Sequence, residues 1–309
     1  MAADRDPKTV MSVTGPVRAE DLGMVLPHEH LFANTLAEYR SGGLLNDEAL
    51  MAEEASRFAM AGGSTIVDLT TDEIGRRPEA LRRLSRSTGI TVVMGSGHYR
   101  EPYLDRDWFD RNGVDEIAAL LIKEIRNGVG QSGVRPGVIG EIGCNAEYIS
   151  SAEERSFRAA ARAHLETGLT ISTHAARWPV GREQARILGQ EGVDPRRVII
   201  GHCDTVPDRD YHVELAEQGY FVQFDGFSSR DDYDLERSIG SILSLMERGH
   251  AGQILISHDV FLSSHLHGYG GGGYDFIPTR LMPELSHRGL SEADLEMLTV
   301  HNPRRALVG

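Results

Sequence analysis

The sequence predicts an α/β protein, a single (β/α)8 TIM barrel that spans residues 1–309. Two observations predict this fold. Short runs rich in Val, Ile and Leu recur along the chain, and most of them are followed by a helical stretch. Continuous apolar runs are typical of parallel strands that are covered on both faces. Eight strands alternating with helices favour a parallel barrel, although the pattern alone leaves an open doubly wound sheet as an alternative.

The predicted elements follow each other without a linker or an internal repeat that would divide the domain. The eight predicted strands cover residues 24–26, 65–69, 91–94, 138–142, 169–173, 198–200, 221–224 and 254–256. The predicted helices cover residues 47–60, 78–88, 114–127, 151–168, 181–191, 235–248 and 292–298. A chain of 309 residues is long enough for one such barrel, which typically takes about 250 residues.

The helix over residues 151–168 has the clearest pattern. Ser151 and Glu154 have the spacing of a capping box, in which each side chain binds the backbone N–H of the other residue. Phe157 and Leu165 are placed on one apolar face, and Gly168 is a typical residue for the end of a helix.

The composition excludes several classes of partner. The net charge is −14, from 32 basic and 46 acidic residues, and no run of Lys and Arg offsets it, so nucleic acid is not an expected partner. No apolar stretch approaches the roughly 18 residues of a transmembrane span, and the first residues lack the apolar core of a signal peptide. The two cysteines are too few for a disulfide framework. We expect a cytoplasmic protein with a small-molecule partner, and the oligomeric state is left open, with a homodimer as one option.

Polar residues stand at or just beyond the ends of five predicted strands. In a barrel these ends meet at one face, where such enzymes keep their sites. Side chains at i and i+2 of a strand point the same way, so the first two histidines can bind one ion together. Six such ligands exceed the need of one zinc ion, and a bridging carboxylate could hold two ions. The candidate metal ligands are His28, His30, Glu141, His174, His202 and Asp259.

The ordered motifs resemble the phosphotriesterase family of the amidohydrolase superfamily over nearly the whole chain. They are Gly15-Pro16-Val17, Leu26-Pro27-His28-Glu29-His30, Gly140-Glu141-Ile142-Gly143, Thr173-His174, Ile200-Gly201-His202, Ser257-His258-Asp259 and Asn302-Pro303-Arg304-Arg305. The resemblance implies a metal-dependent hydrolase with two divalent ions per chain, zinc first, and manganese, cobalt or iron as alternatives.

The resemblance also implies a role for each ligand. His28, His30 and Asp259 would bind the more buried ion, His174 and His202 the more exposed one, and Glu141 would bridge the two. A hydroxide shared by the ions would be the nucleophile, and Asp259 would handle its proton as the catalytic residue.

One departure points to a particular branch of this family. Phosphotriesterases proper have a carboxylated lysine at the bridging position, where this sequence has Glu141. This resembles the phosphotriesterase-related, or phosphotriesterase homology, proteins, whose members need not hydrolyse phosphotriesters. We therefore expect cleavage of a carboxylic ester, lactone or amide. The alternatives are a true phosphotriesterase, a mononuclear deaminase, and a barrel that binds a small molecule without turnover.

Three further residues are candidates for the surroundings of the metals. Tyr99 follows the third strand, where related lactonases have a tyrosine that faces the substrate, although an aromatic residue of the barrel rim is the alternative. Asp204 and Asp225 are candidates for orienting a ligating histidine or passing a proton, and capping of loops is the alternative. Gly226 stands where the lactonases tend to have an arginine, which weakens a close analogy with them.

The remaining motifs are given no direct part in the chemistry. The loop over residues 260–278 is expected to cover the mouth of the barrel, with His265 and His267 as polar groups of a lid. Cys144 and Cys203 are interpreted as structural thiols. The glycine pattern of residues 128–133 matches a dinucleotide fingerprint, but it follows a helix and precedes a strand, which is the reverse of the required order.

Overall fold

The computed structural model describes residues 9–227 and 232–308, and its largest sheet has eight parallel strands in chain order. They are labelled β1 Met24–Glu29, β2 Gly63–Asp68, β3 Thr91–Ser96, β4 Val138–Gly143, β5 Ile171–His174, β6 Val198–Gly201, β7 Phe221–Phe224 and β8 Ile254–Ile256. The backbone N–H of Asp259 donates to the His28 carbonyl over 3.2 Å, so β8 returns to β1 and the sheet nearly closes. The predicted barrel is confirmed. Residues 1–8, 228–231 and 309 of the predicted domain lie outside the described residues.

Helices lie between the strands. They are labelled α1 Leu36–Tyr39, α2 Glu48–Met60, α3 Pro78–Thr88, α4 Arg106–Arg111, α5 Val114–Asn127, α6 Ser151–Thr167, α7 Gly181–Gln190, α8 Arg209–Glu217, α9 Asp232–Glu247, α10 Met282–His287, α11 Glu292–Glu296 and α12 Asn302–Val308. Short π-helical turns at Ile277–Leu281 and Met297–His301 lead into α10 and α12. No helix in the described part of the chain is long and apolar enough to cross a membrane.

The two ends of the barrel differ because an antiparallel hairpin, Thr9–Ser12 with Gly15–Arg18, lies at the N-terminal end. Val10 of this hairpin packs in one buried cluster with Val25, Val67 and Val138, which lie on barrel strands. Its neighbour Val13 donates a backbone hydrogen bond to the Val92 carbonyl at 2.9 Å. Apolar side chains therefore fill this end, and the polar strand ends lie at the opposite face.

Helix α6 corrects two details of the sequence prediction. The capping box is formed by Ser150 and Glu153, one residue earlier than predicted, because Ser150 Oγ accepts from the Glu153 N–H and the Glu153 carboxylate accepts from the Ser150 N–H. Phe157 is fully buried as expected, but Leu165 is 57% exposed and does not face the core. Gly168 ends the helix with a φ of 68°, as expected.

Candidate metal centre

The six candidate ligands lie together at the C-terminal ends of the strands. His28 is in β1 and His30 follows that strand, Glu141 is in β4, and His174 ends β5. His202 follows β6 directly and Asp259 follows β8 by three residues, which completes the set. The strands extend beyond their predicted ends at β1, β4 and β5. His174 pairs with Gly201 of β6 and Gly143 of β4, whereas His28 and Glu141 lie where the strand pairing is irregular, between Leu26 and Glu29 and between Ile139 and Ile142.

Glu141 occupies the middle of this group, with its carboxylate within 4 Å of all four imidazoles. Its Oε1 is 2.7 Å from Nδ1 of His174 and 2.8 Å from Nε2 of His202. The same oxygen is 3.4 Å from Nε2 of His28, and Oε2 is 3.9 Å from Nε2 of His30. The carboxylate is 1% exposed. A carboxylate that reaches two pairs of histidines from between them has the position that a bridging ligand requires.

Asp259 approaches the same imidazoles from the side of β8. Its Oδ1 is 3.3 Å from Nε2 of His30 and 3.8 Å from Nε2 of His28. The backbone φ of Asp259 is 53°, and that of His202 is 55°. Residues other than glycine rarely adopt this left-handed conformation, and where they do the surrounding structure must hold them in it. Two of the six candidate ligands, His202 and Asp259, therefore have a strained backbone conformation.

Glu29 holds the segment that carries Asp259. Its Oε1 accepts hydrogen bonds from Ser257 Oγ at 2.7 Å and from the N–H and Nδ1 of His258 at 2.8 Å each, and its Oε2 accepts from the Val260 N–H at 2.9 Å. The residues on both sides of Asp259 are thus fixed by one buried carboxylate. Sequence reasoning gave Glu29 no role, although its position between the two histidines of the first strand was a signal that could have found it.

Asp225 contacts the far side of two of the imidazoles. Its Oδ1 is 2.7 Å from Nδ1 of His202, and its Oδ2 is 3.2 Å from Nδ1 of His28. Because Asp225 faces the Nδ1 atoms, the Nε2 atoms of both rings are turned toward Glu141. Asp204 supports this arrangement, since its carboxylate accepts from the backbone N–H of Asp225 and of Gly226. Asp225 thus contacts two of the candidate ligand imidazoles, whereas Asp204 binds the backbone of the loop after β7, as in the loop-capping alternative.

The remaining polar contacts orient the rings from the other strands. Nδ1 of His30 lies 3.0 Å from Oγ1 of Thr70, which turns Nε2 of that ring toward Asp259. Gln223 of β7 donates to Asp225 Oδ2 at 2.8 Å, and its amide nitrogen lies 2.9 Å from Nδ1 of His28. Gln223 and Thr70 are further contacts to which the sequence analysis assigned no role.

The buried charges perturb one another strongly. Burial raises the pKa of Glu141, but His174 and His28 more than offset this, so the carboxyl is held well below its usual range. Burial lowers the pKa of His28, whereas Glu141 and Asp225 raise it, with a net rise to about 9. Burial and the neighbouring His202 lower the pKa of His174 to about 4. At pH 7 the Glu141 carboxylate and the neutral His174 imidazole therefore offer free ligand atoms, whereas the His28 imidazole must release a proton before it can bind a cation.

The donor set fits divalent cations. Three groups of residues each have ligand atoms that lie within 4.8 Å of one another. Two of these groups contain Glu141: one joins it to His28 and His30, and the other joins it to His174 and His202. Nε2 of His28 is buried without a hydrogen-bond partner among the described residues, which is rare unless an ion or water serves it. The third group contains Asp225, but this carboxylate contacts Nδ1 atoms on the side away from Glu141, which is the position of an orienting group.

A cavity of about 210 Å³ opens above these residues. Tyr99 lines it and is 9% exposed, with its ring 5.1 Å from that of His174. Of the long loop after β8, Phe261 lines the cavity. The rest of the wall includes Tyr39, Arg100 and Arg177, which sequence reasoning did not single out because they lie in loops and a short helix.

Of the two loop histidines and the two cysteines considered in the sequence analysis, Cys144 alone lines the cavity. His267 binds Asp275, with Nε2 2.5 Å from Oδ1, and His265 is buried against Phe261 and close to the backbone of Asp259, so neither lines the cavity as a lid group. Cys203 is buried away from the cavity. Cys144 is also buried but does form part of the wall, with its thiol accepting from Gln184 at 3.3 Å.

Comparisons with known proteins agree with the fold and identify relatives of the chain. A model of the phosphotriesterase family matches residues 8–307. The phosphotriesterase homology protein of Escherichia coli (strain K12) is 33% identical over 91% of this chain and 96% of its own length. The N-acetyltaurine hydrolase of Dictyostelium discoideum is 33% identical over 85% of this chain and 74% of its own length. The crystal structure of a lactonase from Listeria monocytogenes superposes with a TM-score of 0.89 at 27% identity, covering 97% of this chain and 98% of that one.

Proposed function

Because the chain belongs to the phosphotriesterase family, we propose that it is a binuclear metal-dependent hydrolase that cleaves a small carboxylic ester, lactone or amide. The members compared above include an N-acetyltaurine hydrolase and a lactonase, both of which are hydrolases of acyl compounds by name. The single observation that carries the proposal is the position of Glu141, with its two oxygens within 4 Å of all four histidines.

The proposed ligand roles follow from the contacts around Glu141. His28, His30 and Asp259 would hold one cation, His174 and His202 would hold the second, and Glu141 would be shared between the two sites. Zinc is the first choice for imidazole and carboxylate ligands, with manganese, cobalt or iron as alternatives. When bound, a pair of cations would activate water for attack at neutral pH and would polarise the oxygen of the scissile group.

The remaining roles belong to the side chains themselves. Asp259 lies at the cavity floor with 18% of its side chain exposed, so it can accept a proton there and pass it to the leaving group. Asp225 keeps the Nε2 atoms of His28 and His202 directed at Glu141. Tyr99 forms one wall against which the substrate packs. The small cavity favours a compact substrate over a long chain.

A substrate panel tests the proposal. The metal-loaded protein would be assayed against lactones, N-acyl amino acids, N-acetyltaurine, simple esters and organophosphates. We expect hydrolysis of at least one carbonyl compound, its loss in a His202→Asn variant, and its retention in a His301→Asn control, since His301 is half exposed and pairs with Glu296. Hydrolysis of organophosphates alone would favour a true phosphotriesterase, and rates that survive both a chelator and His202→Asn would contradict a metal-dependent reaction.

A further inference from the structure

Two arginines line the cavity above the candidate metal centre, and they differ in how their charge is balanced. Arg100 is buried and forms an ion pair with Glu38. It also donates to the side-chain oxygen of Asn145 at 2.6 Å, and its guanidinium carbon lies 5.0 Å from the centre of the Tyr99 ring. The charge of Arg100 is therefore matched within the wall, where the side chain acts as a brace.

Arg177 has no comparable ion-pair partner among the residues that the structure describes. It is exposed at the cavity mouth, three residues beyond His174. Within residues 9–227 and 232–308 no carboxylate forms an ion pair with it. The carboxylates that line the same cavity are directed at imidazoles and not at this arginine; they are Glu141, Asp225 and Asp259. A guanidinium group at this mouth is thus available to something that enters the cavity.

The backbone of Arg177 is fixed in an unusual conformation. Its φ is 72°, in the left-handed region that residues other than glycine rarely adopt. The Arg177 N–H donates to Thr205 Oγ1 at 2.7 Å, and the same hydroxyl donates to the His202 carbonyl at 2.7 Å. Through Thr205 the position of Arg177 is therefore tied to the strand end that carries a candidate ligand. Strained backbone at the edge of a site is a sign that the side chain it presents has a role there.

The charge of Arg177 also reaches into the cavity wall. Burial and Glu38 raise the pKa of the Tyr39 hydroxyl, whereas Arg100 and Arg177 act in the opposite direction. Tyr39 lines the cavity next to Phe261, with ring centres 5.0 Å apart. The guanidinium therefore lies within electrostatic range of the face of the cavity on which a substrate would rest.

We propose that the substrate carries an oxyanion group, a carboxylate or a sulfonate, and that Arg177 binds this group at the cavity mouth while the scissile carbonyl lies over the metal centre. The inference rests on the proposed hydrolase function and narrows its substrate class to short acylated amino or hydroxy acids. Guanidinium matches an oxyanion with two parallel hydrogen bonds, which a point charge such as lysine does not reproduce. The cavity of about 210 Å³ keeps the anion close to the scissile bond.

A matched pair of substrates tests this selectivity. N-acetyl-β-alanine and its neutral carboxamide share the scissile amide and differ in the charged group alone. We expect the wild-type protein to prefer the anion in kcat/KM, and Arg177→Gln to reduce that preference about tenfold, mainly through KM. Arg182→Gln is the control, because Arg182 pairs with Glu214 at 2.7 Å and does not line the cavity. Equal use of both substrates by the wild type would overturn the inference and leave the hydrolase intact.

A binding measurement keeps the test independent of turnover. Ethanesulfonate is a weak ligand for metal ions, so its titration into the metal-loaded protein by calorimetry reports mainly on the arginine. We expect binding to the wild type and to Arg182→Gln, and its loss in Arg177→Gln. Arg177→Gly should lose it as well without loss of thermal stability, because glycine tolerates a φ of 72°. No binding to the wild type, or equal binding to Arg177→Gln, would overturn the inference even if neither amide is cleaved.

Discussion

The substitution Glu29→Gln removes one charge from the network that holds the Asp259 segment, at almost constant side-chain volume. The Glu29 carboxylate is fully buried and accepts four hydrogen bonds, three at Oε1 and one at Oε2. Glutamine can keep an oxygen at the first position, but it then places an N–H group opposite the Val260 N–H. That backbone donor loses its acceptor in a site that water does not reach.

The magnitude follows from these contacts. An orphaned buried N–H costs about 1–3 kcal/mol, and the three remaining bonds weaken because their acceptor is no longer charged. Together we expect a loss of about 4 kcal/mol in the free energy of unfolding, a large share of the 5–15 kcal/mol that is typical of a folded protein. Because His258 and Val260 flank Asp259, the variant should also lose bound metal at lower chelator concentrations.

The assay combines thermal unfolding with metal analysis after a chelator titration. Glu54→Gln is the matched control: Glu54 is 1% exposed and accepts the N–H groups of His267 at 3.1 Å and Gly268 at 2.9 Å, in a loop that holds no candidate ligand. It should lower stability and leave metal retention unchanged. If Glu29→Gln unfolds within about 1 kcal/mol of the wild type and retains metal as well, then Glu29 does not hold the segment.

Three other substitutions separate chemistry, substrate contact and packing. Asp259→Asn should lower the hydrolysis rate by about 100-fold or more and change how that rate depends on pH, because the amide accepts no proton. An unchanged pH profile would show that Asp259 does not handle the proton. Tyr99→Phe should lower kcat/KM by about tenfold at unchanged metal content, and a rate equal to wild type would make Tyr99 a rim aromatic. Phe157→Ala should lower the free energy of unfolding by about 3–5 kcal/mol, because it leaves a cavity in the core where Phe157 is 0% exposed. A loss below about 1 kcal/mol would contradict this burial.

The barrel and the convergence of six polar residues could be predicted because both depend on local patterns. A parallel strand buried on both faces is recognisable from its apolar run, and the residue that ends it lies at a face that the fold fixes. His174 illustrates this because it is the last residue of β5, and Glu141 lies two residues before the end of β4. The cap of α6 was misplaced by one residue because Ser150 and Ser151 are chemically equivalent, and the choice depends on contacts outside the helix. Glu153 also accepts from the N–H groups of Glu101 and Asn145, which no helical pattern contains.

Apart from Asp225, the residues that hold the candidate ligands were not identified from the sequence, because their contacts join residues that are distant along the chain. The Glu29 carboxylate binds a segment 228 to 231 residues further along the chain. The cavity wall is similar, since Tyr39, Arg100 and Arg177 come from three separate segments whose paths sequence patterns do not specify. The long glycine-rich loop was expected to cover the mouth, but Phe261 near its start is the part that lines the cavity. Loop paths depend on tertiary contacts, and the sequence shows only their composition.

The metal content of the purified chain, compared with that of Glu141→Gln, tests the binuclear centre most directly. Both proteins would be loaded with zinc, freed of loose metal and measured by elemental analysis, with Glu54→Gln as the control. We expect two ions per chain in the wild type and the control, and one or fewer in Glu141→Gln with most activity lost, because the neutral amide leaves two cations repelling each other in a site of low effective dielectric. One ion per wild-type chain, or two ions and near-normal turnover in Glu141→Gln, would contradict the bridging role of Glu141.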